Sequence, residues 1–205
     1  MATKPATKGL LLGFHGPFGS GKDTLAKAIL KAAFLPDTCR LKFADTMYDM
    51  AANVDPAFSR DMKHSDKNAY VLDDPGLGTR RNFLEKLGTE FGRDCIASDI
   101  WLRLMAHRII ALRRVHPILV VSDVRFENEA ALIRDLGGHI FHLCPTWPSE
   151  AEQSAHKSTK PLQFGETDYK LTLHYGQIAA ALEQIFRITG LITDDLTTPA
   201  VEIRR

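Results

Sequence analysis

Apolar positions along the chain fall into short continuous runs and longer helical spacings, and the order of the two sets the expected architecture. Residues 9–15, GLLLGFH, form a continuous apolar run, the pattern of a strand buried on both faces of a parallel sheet. Residues 24–34 then space their apolar side chains as a helix does. A short second strand is expected over 40–44, introduced by the turn residues Pro36 and Asp37, and a helix over 46–53. The polar stretch 55–78, with Pro56 and Asp73-Asp74-Pro75-Gly76, reads as a mobile loop or an irregular insertion. Helices over 79–91 and 98–114 follow, with Gly92 as a stop between them, Ser98 as N-cap and Pro117 closing the second. ILVV at 118–121 is the clearest strand and ends at Ser122-Asp123. A helix over 127–136 stops at Gly137-Gly138, where glycine suits a left-handed cap. Residues 139–143 form another strand and 144–160 an exposed loop rich in Pro, Ser, Lys and His. A last strand, 170–174, and an amphipathic helix, 176–189, complete the pattern.

Strands and helices alternating at these distances predict an α/β fold, a doubly wound, mostly parallel sheet of about five strands flanked by helices. The expectation is one domain over 1–205 with insertions at about 46–115 and about 144–168. Ligands of such sheets collect at the carboxyl ends of the strands. The 205 residues, 44% hydrophobic, suffice for one substantial core. A net charge of +1, from 26 basic and 25 acidic residues, offers no electrostatic basis for binding a nucleic acid polymer or an anionic membrane. Three widely separated cysteines and eight histidines without metal-ligand spacing indicate neither a disulfide framework nor a zinc site. The polar residues 1–8 and the short apolar run 10–14 are below signal-peptide or membrane-span length, so a cytoplasmic protein is expected. The sequence is compatible with a homodimer.

The densest chemistry lies between the first strand and the first helix. Gly16-Pro17-Phe18-Gly19-Ser20-Gly21-Lys22 satisfies G-x-x-x-x-G-K. Small residues let successive backbone N–H groups point at phosphate oxygens, and the helix N-terminus adds positive potential. Lys22 would reach the β and γ phosphates of ATP, with His15, Gly16, Gly19, Ser20, Gly21, Asp23 and Thr24 forming the rest of the ATP site. The hydroxyl residue normally found directly after the lysine is replaced by Asp23, with Thr24 one place later. Asp123, at the end of an apolar strand, suits a carboxylate that holds Mg²⁺ through water, and Arg125 follows it within reach of phosphates. The metal candidates are therefore Thr24, Asp23 and Asp123. For Asp123 the alternative is a cap on the next helix, whose negatively favoured first turn accommodates Glu127 and Glu129.

Further segments fall into a recognisable order: Phe43-Ala44-Asp45, Arg81, LGTEFGR at 87–93, Trp101, and SDVRFENEA at 122–130. Together with the GKDT loop they resemble the bacteriophage deoxynucleoside monophosphate kinase family within the P-loop kinases, over roughly residues 9–180. Lys22-Asp23-Thr24 is similar to the order in kinases of the adenylate kinase type. The resemblance implies transfer of the γ-phosphoryl group of Mg-ATP to a deoxynucleoside monophosphate, in the host cytoplasm if the chain is phage-encoded. Small-molecule nucleotides are then its partners.

Such transfer requires donor and acceptor held in line and the moving charge neutralised. The implied catalytic group is Lys22, Arg125 and Asp123. Arg81 and Arg93 match arginine positions of the family, and their planar guanidinium groups suit an acceptor phosphate. Arg80 is the substitute should the helix be turned. Asp45 could bind the acceptor sugar, orient Mg²⁺ or cap a helix. Phe43, Phe91 and Trp101 could stack on a base or belong to the core, and Glu90 could accept from a base or a neighbouring arginine. In the lid the family's His-x-Ser-Glu is replaced by His156-Lys157-Ser158-Thr159, so His156 and Lys157, with Lys160, are the implied lid contacts.

Two other readings share some of these features. The DVR segment and GKD loop are also similar to phosphomevalonate kinase, and dephospho-coenzyme A kinase shares the general fold; LGTEFGR favours the nucleotide reading. A nucleotide-gated binding protein of the switch GTPase kind would need an N-K-x-D base reader, and the chain has none.

Overall fold

The computed structural model describes residues 9–32, 37–63, 65–147 and 162–192. They fall into two compact units, one within Met1–Leu41 and Ile110–Arg205, the other Lys42–Ile109.

The first unit is built on a five-stranded sheet whose strands are β1 (Leu10–His15), β2 (Cys39–Leu41), β3 (Ile118–Val124), β4 (His139–Pro145) and β5 (Asp168–Leu173). Their order is β2-β3-β1-β4-β5, and every pairing is parallel. The doubly wound α/β expectation is met, with all five strands parallel. The continuous apolar runs lie where they should: Leu11, Leu12, Phe14, Leu119, Val120 and Val121 are fully buried. Helices α1 (Lys22–Lys31), α5 (Glu127–Asp135) and α6 (Ile178–Ile188) cover the sheet, α6 inserting Ala181, Ile185 and Phe186 into a core shared with Phe14, Val120 and Phe141. A Cβ at Gly13 would stand 2.6 Å from Ile140 Cδ1 and 2.9 Å from Ile133 Cδ1, so only glycine lets α5 and β4 close on β1. At the end of α5, Gly137 adopts a φ of 72°. Its N–H donates to Arg134 O at 2.7 Å and that of Gly138 to Ile133 O at 2.8 Å, the bond pair of a Schellman cap.

Several boundaries differ from expectation. Helix α1 begins at Lys22 rather than residue 24, because Gly21, at φ 88°, turns the chain into the helix two residues earlier. Strand β3 runs past residue 121 to Val124, and β4 past 143 to Pro145. Strand β5 begins at Asp168 rather than 170. There the Asp168 carboxylate, buried, accepts from Arg134 Nε at 2.9 Å and Arg134 Nη2 at 2.7 Å, and from His142 Nε2 at 2.7 Å.

The second unit contains α2 (Asp45–Ala52), three single-turn 3₁₀ segments, α3 (Arg80–Lys86), a π-helix (Leu87–Ile96) and most of α4 (Ile100–Leu112). Tyr48, Ala51, Phe58 and Val71 form its core, with Phe83, Leu84 and Leu87 packed against them. The polar stretch 55–78 is ordered around one carboxylate. Asp55 accepts from Ala57 N at 2.9 Å, Leu72 N at 3.1 Å and Arg80 Nε at 3.0 Å. Leu72 and Asp73 both have positive φ, 51° and 57°, a conformation uncommon for branched and acidic residues outside tight turns.

Gly92 does not stop a helix as expected. It lies inside the π-helix, with the wide-turn bond Ala97 N to Gly92 O at 3.1 Å. Its missing side chain is used for packing: a Cβ there would overlap the Trp101 ring, and one at Gly88 would stand 2.8 Å from Met47 Sδ. Trp101 Nε1 donates to Gly88 O at 2.7 Å. No helix among the described residues is long and apolar enough to cross a membrane.

Candidate active site

The phosphate loop joins the carboxyl end of β1 to α1. Gly19 and Gly21 take φ of 76° and 88°, accessible to glycine at no steric cost. At Gly16 a Cβ would come within 2.9 Å of both Leu143 O and Ser20 Oγ, so the loop closes against β4 only with glycine there. Ser20 is fully buried, and its N–H donates to Pro17 O at 3.2 Å. No side chain caps α1, a helix start suited to receiving an anion.

Lys22 folds over this loop. Its ammonium donates to Gly16 O at 2.7 Å and Pro17 O at 2.6 Å, and lies 3.3 Å from Ser20 Oγ. Burial, together with the Arg125 charge, lowers its pKa to about 8, while Asp23 and Asp123 oppose the shift. Phosphate oxygens would offer this ammonium stronger acceptors than loop carbonyls.

Asp23 stands in the first turn of α1, with its side chain about half exposed. Its Oδ1 accepts from Ser122 Oγ at 2.9 Å and lies 3.6 Å from Arg40 Nη1. Thr24 is exposed. Asp123 lies within β3, partly buried, and Arg125 follows it, exposed. Asp123 therefore does not cap α5, whose N-cap residue is Phe126. Glu129 does that work: its Oε2 accepts from Arg125 N at 2.8 Å and Phe126 N at 3.1 Å. Burial pushes the Glu129 carboxyl up to about 7 against the pull of these N–H groups, and the nearby Asp123 charge adds to the rise.

His15 is the last residue of β1, directly before the loop. Its Nδ1–H donates to Val124 O at 3.1 Å, and its ring meets His142 edge-on at 5.3 Å. Burial is the main cause of its lowered pKa. Trp147, which sequence reasoning missed, donates from Nε1 to Gly19 O at 3.3 Å and packs edge-on against Tyr175, itself 86% exposed. A lone tryptophan in an otherwise polar stretch after β4 was the available signal.

In the second unit, Asp45 is not at a strand end. Strand β2 stops at Leu41, and Asp45 is the first residue of α2, almost fully buried. Its Oδ2 accepts from Lys42 N at 3.0 Å and lies 3.9 Å from Arg60 Nη1 and 3.8 Å from Arg108 Nη1; neither arginine was singled out from sequence. Arg60 also grips Asp49 with two donors. Arg80 is buried and committed to Asp55, whereas Arg81, next along α3, is half-buried. Glu90, Phe91 and Arg93 lie on the π-helix and are exposed, while Phe43 and Trp101 are each 7% exposed. His156, Lys157 and Lys160 lie outside the described residues.

The donors available to a divalent cation at the loop are oxygens: the carboxylates of Asp23 and Asp123 and the Thr24 hydroxyl. Among the described residues no group of three or more His, Cys, Asp or Glu could hold a metal ion. This combination fits Mg²⁺, which keeps several waters and is usually held by one or two carboxylates plus substrate phosphates.

A parallel sheet whose central strand passes through a glycine loop into a helix headed by a lysine that folds back over the loop defines a P-loop nucleotide-binding protein. Comparison with known families narrows the class. The deoxynucleotide monophosphate kinase family matches residues 39–178, and the chain belongs to that family. The matched span begins after the phosphate loop, so loop and family match are separate observations. The chain is 28% identical over 167 residues to a putative deoxynucleotide monophosphate kinase of Acanthamoeba polyphaga mimivirus, covering 73% of this chain and 84% of that protein. It is 26% identical over 182 residues to the deoxynucleoside-5'-monophosphate kinase of Escherichia phage T5, covering 62% of this chain and 72% of that protein.

Proposed function

We propose that the protein transfers the γ-phosphoryl group of Mg-ATP to a deoxynucleoside monophosphate, giving ADP and the deoxynucleoside diphosphate. The observation that carries this reading is the phosphate loop, with Lys22 bent onto the carbonyls of Gly16 and Pro17, in a chain of the deoxynucleotide monophosphate kinase family. On nucleotide binding Lys22 exchanges these carbonyls for β and γ phosphate oxygens, while loop N–H groups and the start of α1 hold the remaining charge. Arg125 adds a cation for the transferring group. Asp23, Asp123 and Thr24 would hold Mg²⁺, which supplies charge neutralisation on the phosphates.

The 42–109 unit is the proposed acceptor region. Arg81 and Arg93 take the acceptor phosphate, and Asp45 and Glu90 offer carboxylates to sugar or base. Phe43 and Trp101, each 7% exposed, belong to its packed interior. A panel of dAMP, dGMP, dCMP, dTMP and their ribo forms, each supplied with Mg-ATP while ADP release is followed, tests the reading. Turnover should depend on a deoxynucleotide acceptor; silence with every nucleotide would remove the proposal.

A further inference from the structure

The serine before Asp123 is out of place by the rules that built its strand. Ile118, Leu119, Val120 and Val121 are each 3% exposed or less, and Ser122 continues the run at 2%. A hydroxyl buried among aliphatic side chains costs stability unless it is hydrogen-bonded. Among the described residues its partner is Asp23 Oδ1, at 2.9 Å across 99 residues of sequence. Asp23 does not need that bond for its own solvation, because its side chain is 53% exposed. For stability alone, alanine at 122 would serve as well.

What the bond does is fix a rotamer. In the first turn of α1, the Ser122 hydroxyl donates to one carboxylate oxygen and sets its direction, with Arg40 Nη1 3.6 Å from the same oxygen. Lys22 senses the charges of both Asp23 and Asp123, so the held carboxylate is within electrostatic reach of the phosphate-binding ammonium. P-loops ordinarily place a Ser or Thr directly after this lysine, its hydroxyl on Mg²⁺; here that place belongs to Asp23.

We propose that Ser122 is a positioning residue for metal-nucleotide binding: its buried hydroxyl orients the Asp23 carboxylate, and the pair replaces the hydroxyl that usually follows the P-loop lysine. This rests on the reading that Asp23 helps hold Mg²⁺ with ATP.

The test is calorimetric titration with ATP, once with Mg²⁺ and once with EDTA, for wild type, Ser122→Ala, Ser122→Thr, Asp23→Asn and the Ser122→Ala/Asp23→Asn double variant, with Tm recorded for each. Ser122→Ala should lose about tenfold in Mg-ATP affinity, the typical effect of one hydrogen bond to a charged group, with metal-free ATP affinity unchanged and Tm not lowered. Ser122→Thr should restore binding, and in the Asp23→Asn background Ser122→Ala should change nothing further. Ser122→Cys fills the same volume with a weak donor and should show the same selective loss, which keeps the test valid if the alanine variant fails to fold. Equal losses with and without Mg²⁺, an undiminished Mg²⁺ effect in Ser122→Ala, or full additivity with Asp23→Asn would each overturn the inference. An Asp23→Asn variant that keeps the Mg²⁺ effect would sink the parent reading; one that loses it while Ser122→Ala keeps it sinks the positioning role alone.

Discussion

The two units hold their candidate functional residues by different means. In the first, a sheet of fully buried aliphatic strands carries the phosphate loop, whose geometry combines contacts within Gly16 to Lys22 with the close approach of Gly16 to Leu143 on β4. In the second, a smaller core centred on Tyr48, Ala51, Phe58 and Val71 is supplemented by a carboxylate hub at Asp55 and by glycines that admit Met47 and Trp101. A chemical site can thus be rigid because its backbone is embedded in a sheet, or because one buried ion ties several turns together. The first arrangement spreads its vulnerability over many buried aliphatic positions, each costly to make polar; the second concentrates much of it at Asp55.

Substitutions should separate these designs. The largest effect is expected from Lys22→Ala, which removes the loop's cation and should lower kcat by about 10²–10³-fold, the scale seen when a preorganised electrostatic contact is lost. Far-ultraviolet circular dichroism and Tm should hardly change, since the sheet carries the fold. A mild kinetic loss would mean that the loop is not the donor site. Next comes Asp55→Asn, which leaves buried Arg80 with only the exposed Asp73 carboxylate, 4.0 Å from Nη2, and should destabilise the second unit by about 3 kcal/mol, measured by urea unfolding.

Asp55 also predicts a pH dependence. The N–H groups of Ala57 and Leu72, and then Arg80, hold its carboxyl below the ordinary 3.8 against the cost of burial. Its contribution is therefore complete above that value and is lost as pH falls through the lower folded-state pKa. The wild type should lose stability there more steeply than Asp55→Asn; parallel acid-unfolding curves would refute the hub. The smallest effect belongs to Arg81→Ala, a half-buried residue of the second unit, expected to raise the acceptor KM by about tenfold while leaving the donor KM and Tm unchanged. An unchanged acceptor KM would take Arg81 out of the monophosphate site.

The same contrast explains what could be read from the amino-acid order. Strand, glycine loop, helix and the Gly137-Gly138 stop were legible because each depends on neighbours within one turn or one strand. Gly92 was misread as a stop because its use depends on Trp101, nine positions on and packed against it. The choice between Arg80 and Arg81 turned on Asp55, 25 residues earlier. Asp45 moved from strand end to helix start because β2 stops at Leu41, a boundary that hydrophobicity alone does not mark. The bond from Ser122 to Asp23 joins two motifs that were each visible, yet nothing in either announces the other.

The measurement closest to the central claim follows the fate of the label when γ-labelled Mg-ATP is supplied with a deoxynucleoside monophosphate. The account predicts label in the deoxynucleoside diphosphate from the wild type, and almost none from Lys22→Ala. Label released only as inorganic phosphate, whatever the acceptor, would contradict it.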